Sequence, residues 1–253
     1  MFVEILAPEM VKENQIDYNS VCIVVDTFRA TTSIITLMNF GVKRIYVVAN
    51  GENAKIIREK YAHESLLIGE EGGLKIDGFD YGNNPSFFSD MHFNSNEVIF
   101  TSTSGAKTFL LLENVKHVLV GSLVNLTSVA KVAASLAKKE RLNIYVIPSG
   151  YFYDSNIYVV EDWVTSKLIL DKVLQYFPLI NISKGEFYLK TKRLLQTNSD
   201  ISSLLENSPN AIKLAEMGFT RDVDYAIQID QQTFVPKVNK FVNTGKIKVV
   251  VIK

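Results

Sequence analysis

Asp26, Arg29, Thr31, Thr32 and Ser33 stand in one short stretch, between an apolar run at 21–25 and the helically spaced series Ile34, Ile35, Leu37, Met38 and Phe40. A carboxylate, a guanidinium and hydroxyls at a strand-to-helix turn make an anion site. The free N–H groups and the dipole of a helix start favour negative charge there. Open α/β sheets bind ligands beyond the carboxyl ends of their strands. Asp26 is the odd member, a negative group that needs a cation beside it. Similar cargo recurs at 69–73 (Gly-Glu-Glu-Gly-Gly), 101–105 (Thr-Ser-Thr-Ser-Gly), 121–125 (Gly-Ser-Leu-Val-Asn) and 148–150 (Pro-Ser-Gly). Hydroxyls and backbone N–H groups suit phosphate oxygens, and carboxylates suit Mg²⁺, so the set reads as a metal-assisted phosphate site. Glu161 and Asp162 add carboxylates within the first turns of a later helix. Each signal has a plainer role when taken singly. A hydroxyl before a helix is an ordinary N-cap, Asp26 can cap its helix or pair with Arg29, and Glu161-Asp162 complement the helix dipole.

These groups meet only if the strands that carry them run parallel and end on one edge. Short apolar runs at 2–6, 21–25, 43–48, 65–68, 97–100, 117–120 and 143–147 read as strands, and helical spacing follows most of them. That alternation predicts an α/β fold, three-layer, with a largely parallel sheet flanked by helices. Asn84-Pro85 reads as a helix start. From 158 the character turns more helical, with helices at 158–177, 186–196 and 210–217, and a final strand at 247–252. The chain reads as a single catalytic domain over 1–253, the alternative being two subdomains, about 1–150 and 151–253.

Composition excludes several function classes. The chain has 253 residues, 47% of them hydrophobic, with Lys plus Arg at 27 and Asp plus Glu at 27, so no global field steers it toward nucleic acid or an anionic membrane. No basic run with interleaved aromatics marks a nucleic-acid surface. Cys22 is the single cysteine and lies inside a strand, which rules out an internal disulfide and reads as a small buried apolar residue. No stretch reaches membrane-spanning length and the start lacks a signal-peptide pattern, so a cytoplasmic protein is expected. A Walker A loop and a Gly-x-Gly-x-x-Gly run are absent. An Asp-x-Asp phosphatase signature is broken by Phe28, and His63, His92 and His117 have no ligand spacing.

The run Val25-Asp26-Thr27-Phe28-Arg29-Ala30-Thr31-Thr32 resembles the Asp-x-x-Arg-Ala-Thr-Ser/Thr signature of the 2-phosphosulfolactate phosphatase family of coenzyme M biosynthesis. The likeness continues, in order, through Gly69-Glu70-x-Gly72-Gly73, Gly78-Phe79-x-x-Gly82-Asn83-x-Pro85, the 101–105 loop, Gly121-Ser122-x-x-Asn125 and Glu161-Asp162, to Asp222-Val223 and Val235-Pro236. No single motif decides the matter, but their order and spacing together are specific. The resemblance implies an α/β enzyme that uses Mg²⁺ to release phosphate from (R)-2-phospho-3-sulfolactate. It implies Asp26, Arg29 and Glu161 as catalytic groups, and Asp26, Glu70 and Asp162 as metal ligands. Thr31, Thr32, Ser102, Thr103, Gly105, Ser122 and Asn125 are implied as substrate binders. The partner is a small phosphorylated anionic substrate, with a homodimer also in view. Covalent catalysis through an aspartyl phosphate and direct attack by water both fit the residues. Ser104, Asn84 and Ser166-Lys167 depart from the family pattern and bear on substrate identity more than on fold. The alternatives are a phosphatase acting on another phosphorylated acid, or a non-catalytic protein that binds a phosphate ligand.

Overall fold

Strands that are apolar without interruption need cover on both faces, and that requirement sets the architecture. The computed structural model describes residues 1–253 except 14, 15, 92, 94, 95, 151, 154, 155, 158, 184 and 199, with the backbone alone for 152, 153, 156, 157 and 186. The expected helix start at 158 and the spacing judgement on His92 therefore fall outside the described residues. In chain order the elements are β1 (Phe2–Ile5), α1 (Pro8–Lys12), β2 (Ser20–Val25), α2 (Ala30–Asn39), β3 (Arg44–Val47), α3 (Gly51–Tyr61), β4 (Leu66–Glu71), β5 (Leu74–Lys75), α4 (Pro85–Phe88), β6 (Glu97–Thr101), α5 (Gly105–Leu110) and β7 (His117–Gly121). After a single turn at Leu123–Asn125 come α6 (Leu126–Glu140), β8 (Asn143–Pro148), β9 (Phe152–Tyr153), β10 (Asn156–Ile157), α7 (Val160–Tyr176), β11 (Asn181–Ile182), α8 (Glu186–Thr197), α9 (Ile201–Glu206), α10 (Pro209–Glu216), α11 (Thr220–Ala226), β12 (Val238–Thr244) and β13 (Ile247–Ile252).

The α/β class and the largely parallel pairing are as expected, but the strands divide between two main sheets. The first is parallel throughout, in the order β11-β1-β8-β2-β7. The second runs β12-β13-β3-β6-β4-β5; its middle strands β3, β6 and β4 are parallel, and β13, β12 and β5 pair antiparallel at the flanks. The final strand is thus present and lies between β12 and β3 in the second sheet. β9 and β10 form a separate antiparallel pair.

Alternation along β2 shows how the layers stack. Val21, Ile23 and Val25 face an outer helical layer, packing with Val129, Ala130 and Ala133 of α6 and with Trp163, Ile169 and Val173 of α7. Cys22 and Val24 face inward, onto Ile34, Ile35 and Leu37 of α2 and Phe109 of α5. The same inner cluster takes Val47, Val98 and Phe100 from the second sheet. Ala54 and Ile57 of α3 cover the far face of that sheet against Leu67 and Ile99. The expected helix–sheet–helix unit therefore occurs twice and shares its inner helices. Cys22 is fully buried beside the Ser20 hydroxyl, and burial pushes its thiol up to about 12, as suits a packing residue.

The C-terminal helices have a local task. Leu205 of α9, Ala211 and Leu214 of α10, and Val223 and Ala226 of α11 pack on Phe28, Leu123, Val160 and Val164. They cap the turn between β2 and α2 from outside. Among the described residues no helix is long and apolar enough to cross a membrane.

Candidate active site

The C-terminal ends of β2, β4 and β6 belong to different sheets, yet the loops they feed open onto one cavity of about 330 Å³. Asp26, Arg29, Glu70, Thr103 and Asp162 line it, together with Phe28, Asn83, Ser104, Asn210, Lys213 and Met217.

The turn after β2 is built by its own hydroxyls. The Thr31 hydroxyl accepts from the Asp26 N–H and donates to the Asp26 carbonyl, both at 2.9 Å. This frees the Asp26 side chain to face the cavity, where its Oδ1 accepts from the Ala30 N–H at 2.9 Å. The backbone of Gly105, first residue of α5, also donates to Asp26. A Cβ on Gly105 would lie 2.7 Å from Asp26 Oδ2 and 2.8 Å from Ala30 Cβ, so the close approach of α5 requires glycine. Burial raises the Asp26 carboxyl to about 6, and repulsion from Glu70 adds to the rise.

The first turn of α7 brings in two further acids. Asp162 Oδ1 accepts from the Thr27 N–H at 2.7 Å. Glu161 Oε1 accepts from Asn210 Nδ2 at 2.7 Å, while its Oε2 is buried without a hydrogen-bond partner. Burial pushes Glu161 up to about 7, with repulsion from Asp26 in the same direction. Asp162 is held well above the usual carboxylate range by burial, then by Asp26 and Glu161. Asp26, Glu161 and Asp162 therefore form one interacting acidic floor. Among the described residues, no group of three or more His, Cys, Asp or Glu side chains is arranged to hold a metal ion by itself.

Glu70 acts as a clamp. Its oxygens accept from the Thr103 N–H and the Gly73 N–H, both at 2.7 Å, and from the Thr103 hydroxyl at 2.8 Å. Thr103 Oγ1 in turn accepts from the Gly72 N–H at 3.0 Å, which ties the loops after β4 and β6 together. Arg29 is engaged as fully. It donates to Asp222 Oδ2 at 2.8 Å and to the Gly73 carbonyl at 2.6 Å, and its guanidinium stacks 4.3 Å over the Phe219 ring.

The remaining expected binders lie behind the cavity wall. Thr32 donates to the Thr27 carbonyl at 2.9 Å and shares a hydrogen bond of 2.6 Å with the Ser122 hydroxyl. Asn125 accepts from the Ser122 N–H at 3.0 Å and donates to the Val120 and Phe234 carbonyls. The Ser102 hydroxyl accepts from the Ala106 N–H in the first turn of α5 at 3.0 Å. Thr31, Thr32, Ser102, Ser122 and Asn125 are buried and give shape to the loops; like Gly105 and Glu161, they stand next to the lining without being part of it.

Other residues at the cavity or directly behind its lining carried no separate signal. Asp222 accepts from Arg29, from Asn84 Nδ2 at 2.8 Å, and from the Ser86 N–H and hydroxyl at 3.1 and 2.6 Å, so it fixes three segments at once. Asn83 is 2% exposed, lines the cavity, and keeps its Oδ1 without a partner. Asn83 and Asp222 stand inside quoted motifs, which was the available hint. Asn210 and Lys213 come from a short amphipathic helix whose polar face reads, in sequence, as plain solvent surface.

Comparison with known proteins adds a family. A family model described as 2-phosphosulpholactate phosphatase matches residues 5–240. A protein of Carboxydothermus hydrogenoformans named "Probable 2-phosphosulfolactate phosphatase" is 30% identical, over 91% of this chain and 90% of its own length. One of Clostridium acetobutylicum with the same name is 26% identical, over 92% and 95%. The "2-phosphosulfolactate phosphatase" of Methanocaldococcus jannaschii is 29% identical, over 82% and 84%.

Proposed function

This chain belongs to the 2-phosphosulfolactate phosphatase family, and on that premise we propose that it hydrolyses (R)-2-phospho-3-sulfolactate to 3-sulfolactate and phosphate with the help of Mg²⁺. The observation that carries the reading is the acidic floor of Asp26, at the end of β2, and Glu161 and Asp162, in the first turn of α7, at a cavity sized for a small ester.

The donor set fits a hard cation. Three buried, mutually repelling carboxyls, one with an orphaned oxygen, are relieved by added positive charge. Mg²⁺ commonly keeps several waters and takes one or two carboxylates plus substrate phosphate oxygens, so it needs no cage of protein ligands. Asp26 and Asp162 would hold it. Bound there, it would neutralise phosphoryl charge and lower the pKa of a bound water.

The chain's own groups supply the rest. Asp26, raised to about 6, is largely ionised near neutrality yet basic enough to take a proton from an attacking water. In the alternative route an Asp26 oxygen attacks phosphorus and the ester P–O bond breaks. The 3-sulfolactate leaves as the alcohol after taking up a proton, and water then hydrolyses the aspartyl phosphate to phosphate and free Asp26. Either route gives Asp26 the reacting role. Glu161, pushed up to about 7, is mostly protonated below that pH and so limits the negative charge of the floor. The Ser104 side chain lines the wall and offers a hydroxyl to phosphate oxygens. Arg29, Asp222 and Glu70 hold the loops in register and so set the shape the substrate meets. The cytoplasm and coenzyme M synthesis are the setting this reading carries, from the family resemblance.

The test is phosphate release from 2-phospho-3-sulfolactate with Mg²⁺ and again with EDTA. Turnover only with the metal is expected. Thermal stabilisation by the ester without phosphate release would instead mark a binding protein and overturn the reading.

A further inference from the structure

The floor of the cavity is acidic, yet the proposed substrate is acidic at every functional group. The charged side chains lining the cavity, among the described residues, are Asp26, Glu70, Asp162, Arg29 and Lys213. Arg29 is 3% exposed and already shares its charge with Asp222, 2% exposed, so it offers little net attraction. Lys213 is exposed, and among the described residues no ion pair or hydrogen bond engages its ammonium group.

The helix that carries Lys213 bridges the cavity. At one end Asn210 donates to Glu161 at 2.7 Å and reaches the Phe28 carbonyl at 3.4 Å. At the other, Met217 packs on Gly73, where an added Cβ would lie 2.8 Å from Met217 Cε. Asn210, Lys213, Leu214 and Met217 follow helical spacing along one face, and all four line the cavity. Lys213 thus sits midway along a helix whose two ends are tied to the surroundings of the cavity.

We propose that Lys213 is the specificity-determining residue that recognises the second acidic group of the substrate, the sulfonate farthest from the reacting phosphoryl group. This rests on the phosphatase reading above. With the phosphoryl group beside Asp26 and Arg29 already held by Asp222, Lys213 is the lining cation left to meet the sulfonate. A flexible ammonium is a point charge with rotatable donors, suited to a tetrahedral sulfonate that needs no planar fork.

The experiment compares 2-phospho-3-sulfolactate with 2-phospholactate, which lacks the sulfonate, in wild type, Lys213→Ala, Lys213→Arg and Lys213→Glu. One charge-assisted hydrogen bond predicts a fall of about tenfold in the kcat/KM preference for the sulfonated ester in Lys213→Ala. The fall should be carried by KM, deepen in Lys213→Glu and be mostly rescued in Lys213→Arg. An unchanged preference in Lys213→Ala, or an equal loss on both esters, overturns the proposal. Binding of the product class is measured separately by calorimetry, with 3-sulfolactate against lactate. If the wild type hydrolyses neither ester, the phosphatase reading fails. Lys213 is then still judged by whether 3-sulfolactate binds about tenfold more weakly to Lys213→Ala; equal affinity rejects it.

Discussion

Glu161→Gln should make the protein more stable in alkaline solution. Glu161 is fully buried, and its carboxyl is displaced from an ordinary 4.5 to about 7. That displacement corresponds to about 3 kcal/mol. Because the folded-state value is the higher one, the folded protein favours the neutral acid. The stabilisation is complete below 4.5 and is lost as pH rises through about 7. Asp26 and Asp162 move in the same direction, so wild-type stability should decline across this range in the absence of metal. Glutamine keeps the shape and the Oε1 acceptor for Asn210 but cannot ionise. In urea unfolding with EDTA present, the variant should match wild type at acid pH and exceed it at alkaline pH by up to about 3 kcal/mol, or about 6–12 °C in melting temperature. Parallel pH profiles for the two proteins would refute a buried, titrating Glu161. A variant less stable by the same amount at every pH would assign Glu161 to packing alone.

Further tests address the neighbours of this floor. Gly105→Ala places a methyl 2.7 Å from Asp26 Oδ2; it should cost about 1–3 kcal/mol in chemical denaturation and lower kcat on the order of 10²-fold through misplacement of Asp26. Normal kinetics in that variant would show that Asp26 tolerates displacement. Asp222→Asn leaves the buried Arg29 without its counter-charge and should destabilise the fold by about 3 kcal/mol in urea titration, and a neutral result would mean that Arg29 repairs its contacts elsewhere. Added Mg²⁺ should raise the melting temperature more at alkaline than at acid pH, because the acids of the floor must lose protons to bind it. A metal effect independent of pH would separate the cation from these carboxyls.

Strand–helix alternation was legible because buried parallel strands and amphipathic helices have distinct periods. The division into two sheets was not. Val21 to Val25 and the second-sheet strand at 97–101 are both apolar runs covered on both faces, and nothing local marks which strands pair. At the site, Asp26, Glu70 and Thr103 at strand ends and Asp162 in the first turn of α7 all line the cavity. The type of a hydroxyl does not reveal where it points. Thr31 and Thr32 turn back onto carbonyls five residues upstream, a choice set by the local turn and by the Ser122 hydroxyl arriving from β7. Lys213 reaches the cavity, and Asp222 reaches Arg29 behind it, only because α10 and α11 dock on Phe28 and Val160, a long-range contact that no local pattern encodes.

The measurement closest to the centre is phosphate release from 2-phospho-3-sulfolactate by wild type and by Asp26→Asn, titrated with Mg²⁺. Asparagine preserves the Oδ1 acceptor for Ala30 but removes the charge and the basicity. The expected result is metal-dependent turnover by the wild type and a kcat lower by at least about 10³-fold in the variant. Turnover by Asp26→Asn near the wild-type rate, with the same Mg²⁺ dependence, would contradict the reacting role of Asp26.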